Sequence, residues 1–166
     1  MHGEASLDLA GAAWRLGLTL FFVVLNGFFV AAEFALVKVR ASRIDGLAAG
    51  GSRQAQNVKH MQANMDLYLS ACQLGITLAS LILGALGEPA VSRLILTGAA
   101  AVGLTVESGE WLRWVSIGLA FGVITILHMT IGEQAPKMWA LRESESMSLR
   151  TSGILKYFTM VLKPLI

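Results

Sequence analysis

Two carboxylates and one amide lie inside segments of the sequence that are otherwise almost wholly apolar. Asn26 and Glu33 occupy an apolar run near the N-terminus, and Glu133 occupies another near the C-terminus. Asn26 and Glu33 are seven residues apart, which places them on nearly the same face of a helix. Ionisable groups inside membrane spans are rare, usually face protein or water, and mark functional sites. These residues are therefore the first candidates for a site.

The strongest local pattern is the run HMTIGEQAPK, which begins at His128. Pro136 has no N–H, so the carbonyl of Gly132, four residues earlier, loses its helical partner. An unpaired carbonyl in hydrocarbon costs several kcal/mol, so we expect it to find a substitute where the helix is unwound or bulged. Glu133 supplies an adjacent carboxylate, and a cation would satisfy both groups. His128 lies about 140° around an α-helix from Glu133, so we predict that it points elsewhere and packs or forms hydrogen bonds.

A polar stripe in the middle apolar segment adds further candidates. Its members recur at steps of three and four residues and lie on one side of a helix: Ser70, Gln73, Thr77, Ser80 and Gly84. We predict that Thr77 and Ser80 form hydrogen bonds between helices, and that Ser70 lies at the depth of Glu133. Oxygens would then converge from Asn26, Ser70, Gly132 and Glu133. An all-oxygen set suits Mg²⁺, Ca²⁺ or Na⁺ and not soft metals.

The composition shows what must position these groups. Of the 166 residues, 55% are apolar and 14% are charged, and the mean hydropathy is +0.63. A soluble domain carries about a quarter charged residues, so this chain lacks the polar surface to cover itself in water. The single cysteine, Cys72, excludes a disulfide scaffold, and a net charge of +2 gives no indication of nucleic-acid binding. The composition therefore predicts one integral membrane domain.

Three apolar segments reach the roughly 20 residues that a spanning helix needs. We place the spans at about 9–37, 67–97 and 111–141, and expect Pro89 to break or bend the second. Basic residues concentrate in the 38–66 loop and after the third span, whereas few occur before the first span or in the 86–113 loop. This bias predicts an N-terminus outside and a C-terminus in the cytoplasm. Within the inner loop, Ser52 is expected to cap a short helix over about 52–65.

Three motifs carry a resemblance to a known family: LNGFFVAAEFALVKVRASRI, YLSACQLGITLASLILGALGEPA and LHMTIGEQAPK. They closely resemble the transmembrane domain of the CorC/CNNM family of magnesium transporters, in the same order, and the match covers nearly all of residues 1–166. The resemblance implies an all-α membrane homodimer with three spans per protomer in the plasma (inner) membrane. It also implies a belt helix over about 144–166 on the cytoplasmic side. We expect the family's CBS pair and C-terminal soluble domain to be absent from this chain.

The resemblance also implies an ion site and a direction of transport. It implies a cytoplasm-open cavity that binds Mg²⁺, and Mg²⁺ export driven by inward movement of Na⁺. Asn26, Ser70, Gly132 and Glu133 match the family's ion-site segments, with Pro136 as the helix breaker. Gln73 and Thr130 are additional candidates on the ion path. Eukaryotic relatives have more serine and asparagine in the first span, where this chain has VAAE at 30–33. This difference leaves three roles open for Glu33: it lines the ion path, it binds a helix end, or it contacts the metal.

Three functions remain open from the sequence. The first is Mg²⁺ transport by alternating access, with a dehydrated Mg²⁺ held between the spans. The second is a sensor domain that binds Mg²⁺ without moving it and regulates another transporter. The third is a structural membrane anchor that needs no ion. No nucleophile–base pair or phosphate loop occurs in the sequence, so we expect no enzymatic activity.

Overall fold

A computed structural model of the chain describes residues 2–101 and 111–165, and every element in these two ranges is a helix. The elements are α1 (His2–Lys38), α2 (Ala41–Ala49), α3 (Arg53–Ala63), α4 (Met65–Ala101), α5 (Trp111–Leu127), a π-helix (His128–Gln134), α6 (Ala135–Arg142) and α7 (Ser144–Leu162). Residues 102–110 of the predicted external loop and Ile166 at the end of the predicted belt helix lie outside the described residues.

Three stretches are long and apolar enough to cross a membrane, namely Ala13–Lys38, Met65–Gly98 and Arg113–Arg142. They confirm the three predicted spans and the all-α membrane fold. Of the two effects expected of Pro89, a break or a bend, the break is wrong, because α4 continues through this residue. A proline removes only one backbone donor, and membrane helices tolerate that loss when the freed carbonyl finds another partner.

The three spans alternate in direction around α1. Val23 packs with Leu83 of α4 and Ile124 of α5, whereas Leu36, further along α1, packs in one cluster with Cys72 of α4. Residue numbers in α4 therefore fall as those in α1 rise, so α1 and α4 are antiparallel. Helix α5 and the segments that follow it run parallel to α1. Both spans that end in a basic residue, Lys38 and Arg142, reach the same membrane face, which we call the basic face.

Helices α2 and α3 follow the first span at the basic face, and α7 follows the third. The side chain of Ser52 accepts a hydrogen bond of 3.3 Å from the N–H of Ala55, which confirms the predicted cap and the helix that follows it. Gly51, with φ of +89°, supplies the left-handed turn just before this cap. Helix α7 occupies most of the range predicted for the belt helix, and its Leu155 is buried in the core cluster with Val58 of α3. Helix α2 was not predicted.

Candidate functional site

The third span contains a π-helix at the predicted irregularity. The N–H of Ala135 donates to the carbonyl of Thr130, five residues earlier, where an α-helix would use the fourth. Pro136 follows immediately and begins the α-helical register again as one of the first residues of α6. The bulge that the sequence predicted is therefore present, and it adds one residue to the turn that carries Gly132 and Glu133.

The carbonyl of Gly132 has a partner from another span. The side-chain amide of Asn26 donates a hydrogen bond of 2.9 Å to this oxygen. Asn26 is only 1% exposed, and Gly132 is also buried. The predicted substitute partner thus exists, and it is an amide of α1. Two of the four predicted ligand residues are brought together by this bond.

Two glycines allow α1 and the π-helix to approach closely enough for this bond. A Cβ on Gly132 would lie 2.9 Å from Cδ2 of His128 and 3.5 Å from Nδ2 of Asn26. A Cβ on Gly27 would lie 2.9 Å from Cγ of Pro136. Real Cβ atoms essentially never lie 2.9 Å from another side chain, so a Cβ at either position would force its neighbour to move. Because neither glycine has a side chain, α1 and the π-helix lie close enough for the short side chain of Asn26 to reach the carbonyl of Gly132.

Ser80 and His128 extend the hydrogen-bond network. The hydroxyl of Ser80 donates to Oδ1 of Asn26 at 3.3 Å, and Nε2 of His128 lies 3.4 Å from the same hydroxyl oxygen. Oδ1 of Asn26 can only accept, so Ser80 is the donor in that bond, and Nε2 of His128 donates to the Ser80 oxygen when the ring carries its proton there. The network therefore links α4, α1 and the π-helix through Ser80, Asn26, His128 and the backbone of Gly132.

This network corrects the prediction for His128. The side chain forms a hydrogen bond, as predicted, but it does not point away from the candidate ligands. The 140° estimate assumed α-helical geometry, and the wider turn of the π-helix changes the angle between His128 and the residues after it. Ser80 fulfils its predicted role of joining two helices.

The lower part of the polar stripe lies elsewhere. Ser70 lies ten residues before Ser80, about 15 Å along a helix, and Ser80 is level with Asn26 and Gly132. The prediction that Ser70 shares the depth of Glu133 is therefore wrong, and the structure does not bring Ser70 to the network. Thr77 donates to the carbonyl of Gln73 in its own helix, so its predicted bond between helices is wrong too. The three residues Ser70, Gln73 and Thr77 are exposed on the protomer.

The remaining candidates, Glu133, Thr130 and Glu33, do not join the network. Glu133 is half-buried beside Gly132, and Thr130 is exposed. Glu33 is half-buried on α1, two turns from Asn26 towards the basic face. Near it, Nζ of Lys137 lies 4.6 Å from the centre of the Phe34 ring, which places a cation close to this part of α1.

The donor set favours a hard cation over a soft one. Within residues 2–101 and 111–165, no three His, Cys, Asp or Glu side chains form a group that could hold a metal. The oxygens that the network brings together are instead the backbone carbonyl of Gly132, the amide of Asn26 and the hydroxyl of Ser80. Oxygen ligands suit Mg²⁺, Ca²⁺ or Na⁺ in preference to Zn²⁺ or Cu⁺.

Sequence reasoning missed Ser80 and His128 as partners of Asn26. One available signal was depth, since Asn26 lies near the middle of the first span and Ser80 near the middle of the second. The second signal was Pro136, because the bulge that it predicts also changes which residues share a face with Gly132. Both residues are polar groups inside spans, where hydrogen-bond partners are needed.

Comparisons with known proteins identify the family. Residues 17–166 match the family described as CNNM, cyclin M transmembrane N-terminal domain. The chain is 44% identical to the UPF0053 protein YhdT of Bacillus subtilis over 144 residues, which cover 87% of the chain and 31% of that protein. It is 41% identical to the UPF0053 protein YhdP of the same organism over 152 residues, covering 92% and 34%. The chain thus spans about a third of the length of these relatives, and it belongs to the CNNM transmembrane-domain family.

Proposed function

We propose that this chain is the ion-translocating domain of a magnesium transporter that exports Mg²⁺ in exchange for inward-moving Na⁺. The observation that carries the proposal is the bond between the amide of Asn26 and the carbonyl of Gly132 beside Glu133, inside three apolar spans. A buried polar network next to a carboxylate in hydrocarbon is costly, and membrane proteins retain such groups at substrate and ion pathways. Membership of the CNNM family supports the same assignment.

The distance between the two groups suits an octahedral ion. Mg²⁺ prefers six oxygens at about 2.0–2.1 Å, so adjacent ligand oxygens lie about 2.9 Å apart. The amide nitrogen of Asn26 lies 2.9 Å from the oxygen of Gly132. A half-turn of the amide would replace this nitrogen with Oδ1 and present two oxygens at that separation. Glu133 would then supply the negative charge, and Ser80 would lose its acceptor and become free to donate elsewhere.

An exposed polar stretch of α4 lies on one side of the network, and a cavity lies on the other. Towards the basic face, Ser70, Gln73 and Thr77 are exposed along α4, and these residues would line the route by which the ion approaches. Towards the opposite face, a cavity of about 260 Å³ has a mostly apolar lining that includes Leu83, Phe121 and Ile124, with Ser80, Thr125 and His128 as its polar members. Alternating access would open the network to one side and then to the other.

The charge distribution supports an orientation. The basic face carries Lys38 and Arg142, and the inner loop adds further lysines and arginines. By the positive-inside rule this face would be cytoplasmic, with the N-terminus outside, in the plasma membrane of a bacterial cell. Mg²⁺ would then be bound from the cytoplasm and released outside.

A homodimer is part of the proposal. Gly118 and Gly122 form a small-residue pair on α5, and a Cβ on either would meet no atom within 4 Å in the protomer. Such faces allow membrane helices to approach closely. In a Cys72→Ala background, Gly118→Cys is expected to form a disulfide-linked dimer in membranes, while the neighbouring exposed position in Leu119→Cys does not. Equal cross-linking at both positions would contradict this interface.

The transport proposal is tested by flux in proteoliposomes that contain an internal Mg²⁺ indicator. Mg²⁺ should move only when a Na⁺ gradient runs in the opposite direction. Glu133→Gln is expected to lower the initial rate at least about tenfold, because hydrogen bonds and contacts to a charged ligand are worth about 1.5–3 kcal/mol. Glu145→Gln, which removes one carboxylate outside the spans, is the matched control and should retain the rate.

The same preparation separates the three functions. Mg²⁺-dependent thermal stabilisation without any flux would replace the transport proposal with the sensor. If Mg²⁺ neither moves nor stabilises the protein, and Glu133→Gln changes nothing, the domain is an anchor. Flux that is independent of Na⁺ would retain Mg²⁺ transport and remove the coupling.

A further inference from the structure

A second cavity, on the other side of α1 from Ser80, has an almost wholly apolar lining. It has a volume of about 310 Å³ and lies between α1, the π-helix with α6, and the start of α7. Its walls include Val24, Phe28, Ala31, Ile131, Trp139 and Met147. Val24 and Trp139 are 66% and 51% exposed, so the cavity is open at the surface of the spans. Its depth places it among lipid acyl chains.

The helix faces that line this cavity extend towards the basic face. On α1, Ala31 lines the cavity, and Lys38 follows it at a spacing of seven residues, which is two helical turns and about 10 Å. On α6, Trp139 lines the cavity, and Arg142 follows at a spacing of three. The same helix faces therefore change from apolar to basic as they leave the membrane.

A basic pocket lies at this end of the two helices. It has a volume of about 330 Å³ and is lined by residues that include Lys38, Arg40, Arg43, Arg142 and Glu145. Glu145 pairs with Arg43 at 2.8 Å, so the four basic side chains and one carboxylate leave a net charge of +3 at the pocket. Helix α7 contributes to both cavities, with Glu145 in the basic pocket and Met147 in the apolar one.

We propose that these two cavities form one binding site for an anionic glycerophospholipid. An acyl chain fills the apolar cavity, and the phosphate group contacts the basic pocket. The separation of about 10 Å between Ala31 and Lys38 suits a molecule whose phosphate is joined to its acyl chains through glycerol. The site lies where the headgroup region meets the hydrocarbon, and clusters of basic residues at this level attract anionic lipids. No assigned ion ligand contributes to the site.

Charge complementarity selects this occupant over a zwitterionic lipid. A neutral phospholipid could fill the apolar cavity equally well, but it would bring no net charge to a pocket of charge +3. Each basic side chain near an anionic membrane contributes about a fivefold preference. The expected ligand is therefore phosphatidylglycerol or another lipid with a net negative phosphate group.

Trp139 provides a direct probe, because it lines the apolar cavity. The other tryptophans, Trp14, Trp111 and Trp114, are exposed and lie near the opposite membrane face, so they can be replaced by Phe. The single-tryptophan chain is then placed in phosphatidylcholine bilayers with increasing amounts of phosphatidylglycerol brominated on its acyl chains. Half-maximal quenching of Trp139 is expected at a mole fraction at least about fivefold lower than with brominated phosphatidylcholine.

Two variants and a control distinguish the site from ordinary surrounding lipid. Lys38→Gln with Arg142→Gln should abolish the preference for phosphatidylglycerol, whereas Arg53→Gln with Arg150→Gln removes the same charge outside the pocket and should retain it. Val24→Phe, at an exposed position, should fill the cavity and reduce quenching by both lipids.

Equal quenching by the two brominated lipids in the unmodified single-tryptophan chain would overturn the proposal. So would a preference that survives loss of Lys38 and Arg142, or that disappears equally in the control pair. Loss of the preference when a longer protein containing this chain is used would show that a protein segment covers the groove, and would also overturn it.

Discussion

The side-chain amide of Asn26 gives the carbonyl of Gly132, inside the spans, a hydrogen-bond partner from another helix. Its nitrogen donates to Gly132 and its oxygen accepts from Ser80, so both ends of the amide are used. A side chain with one donor end and one acceptor end can complete this network without an ion, and can turn to accommodate one. The proposed switch between the two states therefore requires an amide at position 26.

Asn26→Asp tests this requirement. The substitution replaces the donor nitrogen with a carboxylate oxygen opposite the carbonyl of Gly132, so without Mg²⁺ the protein should lose about 1–3 kcal/mol of stability. Mg²⁺ would bridge the two oxygens, so its stabilising effect should exceed that on the unmodified protein. Thermal unfolding in detergent with and without Mg²⁺ measures both changes.

The control for this variant is Asn64→Asp. Asn64 is exposed at the end of α3 and also donates its side-chain amide to a carbonyl, that of His60, at 2.9 Å. It lies outside the spans, so its replacement should leave the effect of Mg²⁺ unchanged. An equal Mg²⁺ effect in the Asn26→Asp variant and the unmodified protein would argue against an ion between Asn26 and Gly132.

Gly132→Ala tests the close approach of α1 and the π-helix. The added methyl group would lie 2.9 Å from Cδ2 of His128 and 3.4 Å from the carbonyl oxygen of Val23. Such overpacking costs about 1–3 kcal/mol, so the unfolding temperature should fall. Gly153→Ala adds the same group to α7 where no atom lies within 4 Å, and its stability should be retained or slightly raised because alanine favours helix. Equal effects of the two substitutions would contradict the described packing.

At the scale of helices, buried packing holds α7 against the spans more strongly than its ion pair does. Leu155 is 1% exposed and lies in the core cluster with Leu36 and Val58. The pair between Glu145 and Arg43, by contrast, joins side chains that are 36% and 68% exposed. Exposed pairs contribute little, because water and salt screen them.

Leu155→Ala is therefore expected to cost about 2–5 kcal/mol, and Glu145→Gln less than about 1 kcal/mol. Both changes are in α7, so one serves as the reference for the other. Chemical denaturation followed by circular dichroism measures the difference, and limited proteolysis after α6 should become faster only in Leu155→Ala. A larger loss in Glu145→Gln would assign the docking of α7 to electrostatics.

The elements that sequence reasoning predicted are those specified by local patterns. Long apolar runs predicted the three spans, Ser52 predicted the start of α3, and Pro136 predicted the bulge in the third span. The errors at Ser70 and His128 arose because neighbouring spans and the π-helix determine which residues meet. Depth across helices depends on the register of packing, and direction around a π-helix differs from that around an α-helix. Neither is contained in the pattern of one segment.

At the scale of the whole protomer, a polar surface lies on the outside of the second span. Ser70, Gln73 and Thr77 are exposed, although the helix that carries them crosses the membrane. Thr77 satisfies its hydroxyl within its own helix by donating to the carbonyl of Gln73, but the side chains of Ser70 and Gln73 would cost free energy if they faced hydrocarbon. The same helix also exposes Leu81, with 66% of its surface accessible, which suits lipid. The protomer therefore has two kinds of outer surface along α4, and the polar one is expected to face water.

Cysteine labelling distinguishes the two surfaces. In a Cys72→Ala background, Gln73→Cys should react with a membrane-impermeant maleimide at least about tenfold faster than Leu81→Cys, because the reactive thiolate forms in water and not in hydrocarbon. Mg²⁺ is expected to slow the reaction at Gln73→Cys if ions use this route, and to leave Leu81→Cys unaffected. Labelling from only one side of the membrane would also establish which face is cytoplasmic. Equal rates at the two positions would remove the water-filled route from the proposed mechanism, since an ion as strongly hydrated as Mg²⁺ cannot approach Asn26 and Glu133 through lipid.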